Sequence, residues 1–246
     1  MTISLPLGFR AHVANIGIKD LTDDFTLVVA DTVCSAAGMF TQSRFAGPSV
    51  VVSREHISSH TAKAVVVISK NANVATGEIG MSNALEVVAG VSSALGCDPH
   101  DVLIASTGVI GRQYPMDKVR AGLAALPTHP QGTSADDVAR GIMTTDTVSK
   151  VAECVVAGST ARVVGVAKGV GMIEPNMATL ITMMFTDAQV APGELNSIFH
   201  RVIAKTFNCV SVDTDTSTSD TAIVLASGAA GNVDLSALEP LGGASN

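Results

Sequence analysis

Residues 64–69 read AVVVIS, an apolar run made mostly of β-branched residues. A run so short and so uniform has no polar face to offer water, so it predicts a central strand covered on both sides. Any fold for this chain must therefore place layers above and below a sheet. Further strands are predicted over residues 24–30 (DFTLVVA), 36–40, 49–53 (SVVVS), 102–105 (VLIA), 152–156, 159–166, 180–185 and 222–227. Between them, helices are predicted over residues 82–95, opened by a capping Ser82, and over 116–126, 135–143 and 195–207. Alternating elements of the two kinds predict an α/β chain, as one large domain or two small ones. With 246 residues it can bury a sizeable core.

Composition narrows what such a chain can bind. Hydrophobic residues make up 47% and charged residues 15%, which predicts a compact interior or surface covered by a partner, in a globular, oligomeric protein. A formal charge of -7, with only 15 Lys and Arg, leaves no basic footprint for nucleic acid or an anionic membrane. One Tyr, seven Phe and no Trp give no platform for stacking bases. The expected ligand is a small molecule. Cys34, Cys97, Cys154 and Cys209 are scattered without C-x-x-C or zinc spacing, so they are predicted to be buried small hydrophobes in a reducing compartment. The first residues show no basic start followed by a long apolar stretch, and the expected location is the cytoplasm.

Residues 165–184, GVAKGVGMIEPNMATLITMM, carry the densest chemistry. Lys168, Gly169, Gly171, Pro175 and Asn176 predict a shaped loop, and the apolar strand follows. Ala178-Thr179 then sets a small residue and a hydroxyl at the mouth of that strand. A Thr so placed can attack its own preceding carbonyl. The resulting N-to-O acyl shift would cut the chain at Ala178-Thr179, and the freed α-amino group of Thr179 could serve its own hydroxyl as general base. On the residues alone, the commoner reading is an ordinary strand Thr. Lys168, eleven positions earlier, is either a surface Lys or an ammonium folded back to hold a substrate carboxylate.

Three more stretches stand out, each with a plain reading beside the chemical one. KNANVATG, residues 70–77, has Asn side chains suited to bonding their own backbone in a turn. STGVIG, residues 106–111, is a Gly-containing turn predicted just past a strand. Its free N–H groups could face one developing negative charge, as an oxyanion hole requires, although many ordinary turns share these residues. MTTDT, residues 143–147, reads as a helix end running into a hydroxyl-rich turn, and Asp136-Asp137 suit the start of the preceding helix. Residues 207–221, FNCVSVDTDTSTSDT, form either a solvated hydrogen-bonded loop or a site for a hard cation.

Taken in order, NANVATG, STGVIGRQYPM, IMTTDT, KGVGMIEPNMATL and DTDTSTSDT resemble the ornithine acetyltransferases, the bifunctional glutamate N-acetyltransferases of arginine biosynthesis. The resemblance spans essentially the whole chain. It implies a mixed α/β (α+β) fold, an αββα-type layered sandwich of the ornithine acetyltransferase / L-aminopeptidase D-Ala-esterase kind. It implies cleavage between Ala178 and Thr179, with residues 1–178 carrying the oxyanion and substrate loops and residues 179–246 opening on the Thr179 nucleophile. The two fragments would stay associated, in a homo-oligomer of such pairs. Thr107 and Gly108 are implied as the oxyanion hole, and Lys168 and Thr145, in preference to Thr144, as substrate contacts.

The implied reaction passes an acetyl group from N-acetylornithine to Thr179 and on to glutamate, releasing ornithine, with no metal or redox cofactor. Two departures accompany the match. Lys70 stands where the family pattern has Gly, and family members continue beyond the position matching Asn246 into a part that supplies an acidic residue and Asn and Thr ligands. Other readings stay open. One is a self-processing aminopeptidase that hands its acyl group to water. Another is a truncated paralogue that binds amino acids without turnover, and a third is a relative serving a specialised-metabolite cluster.

Overall fold

The computed structural model describes residues 2–170, 180–211 and 217–234. The Ala178-Thr179 pair and residues 212–216 lie outside the described residues. Among the described residues, eight strands are present in chain order: β1 (Phe9–Ala14), β2 (Phe25–Phe40), β3 (Thr61–Asn71), β4 (Val102–Val109), β5 (Lys150–Val155), β6 (Arg162–Lys168), β7 (Ile181–Gln189) and β8 (Thr221–Asn232). They hydrogen-bond in the order β4-β3-β2-β8-β7-β6-β5, with β1 pairing on β2. The helices are α1 (Pro48–His56), α2 (Gly77–Leu95), α3 (Met116–Ala124), α4 (Ala135–Gly141) and α5 (Pro192–Lys205).

The layering comes from β2. Its register against β3 shifts between Val29 and Cys34: its first half pairs with β1 and β3, while its second half pairs with β8 and keeps β3 only at Cys34 and Ser35. An irregularity of this kind bends a strand, and here it divides one hydrogen-bonded sheet into two facing halves. Val65, Val67, Leu103 and Ala105 of one half share a core with Val164, Val166, Met183, Phe185 and Leu225 of the other. The rings of Phe9 and Phe185 meet within this core at 5.3 Å. Outside the first half, Leu27, Val66, Ile68 and Ile104 are covered by Ala84, Val87 and Val91 of α2 and by Val119 of α3. Outside the second, Ala222, Val224 and Ala226 are covered by Leu195, Phe199 and Ile203 of α5. Helix, sheet, sheet, helix is the αββα sandwich that the resemblance implied.

β3 shows why its sequence is unbroken. Side chains alternate along a strand, so Val65 and Val67 enter the inner core while Ala64, Val66 and Ile68 face α2 and α3. Both faces are dry.

Three expectations need correction. The segment 49–53, read as a strand, lies inside helix α1. Pro48 sits at the start of that helix, where its fixed φ favours helix and its missing N–H costs nothing. The Ser hydroxyls then gain from the helix: Ser53 Oγ donates to the Ile104 carbonyl at 2.6 Å and accepts the Ile104 N–H at 2.7 Å. Packing onto β4 thus overrides the strand preference of three Val residues. Helix α2 begins at Gly77, well before Ser82, with Thr76 as its N-cap. Of the four cysteines only Cys34 is buried, its thiol pushed up to about 12 by burial, while Cys154 and Cys209 are exposed. Among the described residues, no helix is long and apolar enough to cross a membrane.

Candidate active site

The site is built where the ends of β3, β4 and β6 meet the start of β7. β3 and β4 run parallel, with Ser69 opposite Thr107 and Lys70 opposite Gly108. The two chains approach so closely here that a Cβ on Gly108 would lie 2.1 Å from the Lys70 carbonyl carbon. Only glycine fits, and its φ of +134° is likewise a glycine conformation. Lys70 itself adopts φ 82°, the left-handed region, so a Lys holds the backbone shape for which the family pattern leads one to expect Gly. β4 extends to Val109, which puts Ser106, Thr107 and Gly108 in the strand and not in a turn beyond it.

A buried polar scaffold fixes this corner. Asn71 Oδ1 accepts the Asn73 N–H at 2.7 Å, and Asn73 Nδ2 donates to the Gly80 carbonyl at 2.8 Å. Asn71 thus serves its own turn through Oδ1, as turn chemistry predicts, while its Nδ2 donates to the distant Gln113 carbonyl at 2.9 Å and ties the loop to the segment after β4. Beneath the strand, Ser49 Oγ bonds Ser106 Oγ at 2.6 Å and the Tyr114 hydroxyl at 3.1 Å, and Tyr114 also bonds Ser106. Such a chain of satisfied hydroxyls locks the residue next to Thr107 into one geometry.

Facing layers bring β6 to the same place. Lys168 ends β6, is only 3% exposed, and its Nζ donates to Thr107 Oγ1 at 3.1 Å. Burial lowers the pKa of this ammonium and nearby Lys150 lowers it further, while the carboxylates of Asp146 and Asp220 oppose the shift. Asp146 lies in the turn after α4. Its Oδ1 accepts from Lys150 Nζ at 2.6 Å and from the Gly169 N–H at 2.8 Å, and its Oδ2 accepts the Thr144 N–H at 3.4 Å. Burial by itself would raise this carboxyl, but Lys150, the Gly169 N–H, Lys168 and the Thr144 N–H outweigh it and hold its pKa below the usual value.

Asp220 precedes β8 and is treated differently. Its Oδ1 accepts the Leu180 N–H at 2.9 Å, while Oδ2 is buried without a hydrogen-bond partner among the described residues. The Thr41 hydroxyl is close but donates to the Ser217 carbonyl at 2.6 Å, and neither it nor the Ser217 hydroxyl reaches Oδ2. Burial pushes this carboxyl up to about 7, against the Leu180 N–H, the neighbouring hydroxyls and the Lys168 charge. Thr107, Lys168, Leu180, Ser217 and Asp220 line one small cleft. A buried ammonium, a hydroxyl and a half-free carboxyl in one dry cleft can hold a polar ligand and exchange protons with it. Among the described residues, no group of three or more His, Cys, Asp and Glu could hold a metal ion.

The sequence pattern of the ArgJ family matches residues 10–241. The chain belongs to the ArgJ family. It is 51% identical to the arginine biosynthesis bifunctional protein ArgJ 2 of a Nostoc species, over 94% of this chain and 59% of that protein. It is 50% identical to the glutamate N-acetyltransferase Oat2 of Streptomyces clavuligerus, over 97% of this chain and 60% of that protein. The chain thus spans about 60% of the length of these ArgJ relatives. Among solved structures, ArgJ of Bacillus halodurans superposes with a TM-score of 0.66 at 34% identity, covering 72% of this chain and 97% of that one. An ornithine acetyltransferase of Mycobacterium tuberculosis, solved with ornithine, gives 0.65 at 30% identity, covering 73% and 96%.

For an ArgJ chain, the expected site residues sort cleanly. Thr107, Gly108 and Lys168 come together from two layers. Thr145 is exposed, and its neighbour Asp146 is the residue that turns inward. Ala178 and Thr179 lie outside the described residues, although Leu180, bonded to Thr179, lines the cleft. Asp146 and Asp220 were missed by sequence reasoning. Each sits in a hydroxyl-rich stretch, Asp146 as the one Asp of MTTDT and Asp220 as one of three Asp in residues 207–221, and nothing in the pattern marked which would be buried.

Proposed function

We propose that the protein to which this chain belongs is an acetyltransferase working through Thr179. The observation that carries the reading is the cleft in which Lys168 meets Thr107, walled by Leu180, the residue bonded to Thr179. Cleavage at Ala178-Thr179 frees an amine that acts as base for the Thr179 hydroxyl. The hydroxyl oxygen attacks the acetyl carbonyl of N-acetylornithine, and the oxyanion rests against Thr107 and Gly108. The amide C–N bond then breaks, ornithine leaves with a proton on its nitrogen, and an acetyl ester remains on Thr179. The amine of glutamate attacks that ester and restores the hydroxyl. Lys168 and Thr145 hold the polar groups of the amino acid, and the cycle draws on no metal or redox cofactor. Each oxyanion donor is worth about 3–4 kcal/mol of barrier, on the scale of single-donor deletions in other acyl-transfer enzymes.

The solved relatives support the division into two fragments. Each match covers at least 96% of the solved chain but no more than 73% of this one, so those chains are shorter than this one by about a quarter. Residues 179–246 make up about the same share of this chain. On this reading, the fragments before and after the break remain together, in a homo-oligomer of such pairs in the cytoplasm.

The test is intact-mass spectrometry of the purified protein beside Thr179→Ala. The wild type is expected as two chains divided before Thr179, and the variant as one chain without acetyl transfer. Two chains in the variant would refute the assignment. Acetyl release assayed with and without glutamate separates transfer to an amino acid from hydrolysis.

A further inference from the structure

A buried ammonium holds a substrate carboxylate well only if it stays charged and keeps N–H donors to spare. We propose that Asp146 is a positioning residue for the amino-acid substrate, acting through Lys168 as its fixed counter-charge, an inference resting on the reading of Lys168 as a substrate contact. Asp146 Oδ1 accepts the Gly169 N–H at 2.8 Å, so the residue after Lys168 is tied to the turn after α4. Its Oδ2 accepts the Thr144 N–H at 3.4 Å, so Thr145, between the bonded residues, belongs to the same knot. One carboxylate thus joins the two segments that carry the expected substrate contacts.

The pairing of Asp146 is equally telling. Among the described residues, its ion pair is with Lys150 Nζ, at 2.6 Å, and not with Lys168. The Lys168 ammonium donates to Thr107 Oγ1 at 3.1 Å, which uses one of the three N–H groups an ammonium carries. A direct ion pair with Asp146 would take another. A carboxylate anchored next door to Lys168 supplies negative charge and leaves those donors to a ligand.

The charged groups around Lys168 come from several elements. Asp146, after α4, and Asp220, before β8, favour the ammonium, while Lys150 of β5 opposes it. Lys19, in the loop before β2, feels the Lys168 charge as a repulsion and is held in the same corner, its Nζ donating to the Met143 carbonyl at 2.7 Å. The two carboxyls are unequal supports. Burial pushes Asp220 up to about 7, so near neutrality it is only partly ionised, whereas the pKa of Asp146 is held below the usual value. Without Asp146, Lys168 would face Lys150 and Lys19 with one half-charged carboxyl, in a site whose burial already favours the neutral amine. A neutral amine makes a weaker bond to a carboxylate than an ammonium does.

The experiment follows the Lys168 side chain by NMR in the full-length protein carrying carbon-13 lysine, its signal assigned with Lys168→Arg, from about pH 6 to about pH 10. Ornithine binding is measured by calorimetry over the same range. Asp146→Asn keeps an oxygen for the Gly169 N–H but not the charge. It is expected to lower the pH at which Lys168 loses its proton and to weaken ornithine binding at pH 8 by about 10-fold or more. Lys150→Met removes a like charge and should move the Lys168 titration the opposite way, and Asp146→Glu should return it toward the wild type. A merely structural contact gives no such opposition between two partners of one ion pair. An unmoved Lys168 titration in Asp146→Asn overturns the proposal, as does a wild-type Lys168 already neutral at pH 7, a readout that needs no variant to fold. A wild type whose Lys168 is charged but which binds no ornithine removes the reading of Lys168 as a substrate contact, whereas equal titration of Lys168 in wild type and Asp146→Asn removes only Asp146.

Discussion

Two aspartates flank the buried Lys168 and have opposite surroundings. Asp146 is saturated: a lysine and two backbone N–H groups reach its oxygens, and its pKa is held below the usual value. Asp220 has one backbone N–H on Oδ1 and, among the described residues, no hydrogen-bond partner on Oδ2, and burial pushes its pKa up to about 7. Both lie against the same ammonium, so the Lys168 charge cannot account for the contrast. What differs is first burial, which is deeper at Asp220, and then the hydrogen bonds and the Lys150 charge that favour the ionised form of Asp146; together these decide whether a buried carboxyl stays ionised. A saturated carboxylate holds structure in place, and a half-satisfied one is free to handle a proton.

The hardest test of this contrast is removal of the saturated member. Asp146→Ala leaves Lys150 beside Lys168 without an acceptor and strands the Gly169 N–H. The expected loss is about 3 kcal/mol, toward the lower end for breaking a buried pair because Lys150 is 41% exposed. Chemical denaturation at pH 7 measures it, and a loss below about 1 kcal/mol would show that Asp146 is not the clamp described.

A pH comparison gives the next largest effect. For Asp220 the folded pKa, about 7, lies above the ordinary carboxyl value of 3.8. Between these values the folded state keeps a proton that the unfolded chain has lost, so this group makes stability fall as pH rises, with the penalty complete above about 7. Asp146 tilts the curve the other way: its contribution is present above the unfolded value and lost as pH falls through its lowered folded value. Asp220→Asn should therefore gain roughly 2–4 kcal/mol on the wild type between pH 5 and pH 8. Parallel stability curves for the two proteins across that range would mean that Asp220 is ionised throughout.

The same contrast shows what could be read from the sequence. Local pattern sufficed for β3, whose apolar run needs both faces dry, while the order of motifs singled out Lys168 and Thr107, which the fold brings into hydrogen-bond contact. It failed at 49–53, where three Val residues favour a strand but Ser49 and Ser53 find partners on β4 only from a helix. It also failed at the aspartates. The Asp146 and Asp220 environments are made by Gly169, Lys168 and Leu180, residues far away in the chain, and no spacing rule encodes contacts across two layers. The family order pointed to the exposed Thr145, and only burial draws attention to Asp146 beside it.

The smallest expected effect separates the two parts of the Asp146 clamp. Lys150 is its charged partner at 2.6 Å but is 41% exposed, so water and salt screen most of the attraction. The Gly169 N–H shares the same oxygen and is a buried contact. If backbone donors chiefly hold Asp146 ionised, Lys150→Met should cost only about 0.5–1 kcal/mol, shrinking further in high salt, and should leave the acid limb of the stability curve nearly unmoved. A loss as large as that of Asp146→Ala would instead make Lys150 the main support. The saturated aspartate would then depend on one exposed side chain, and its difference from Asp220 would lie in having a lysine within reach and not in the count of N–H groups.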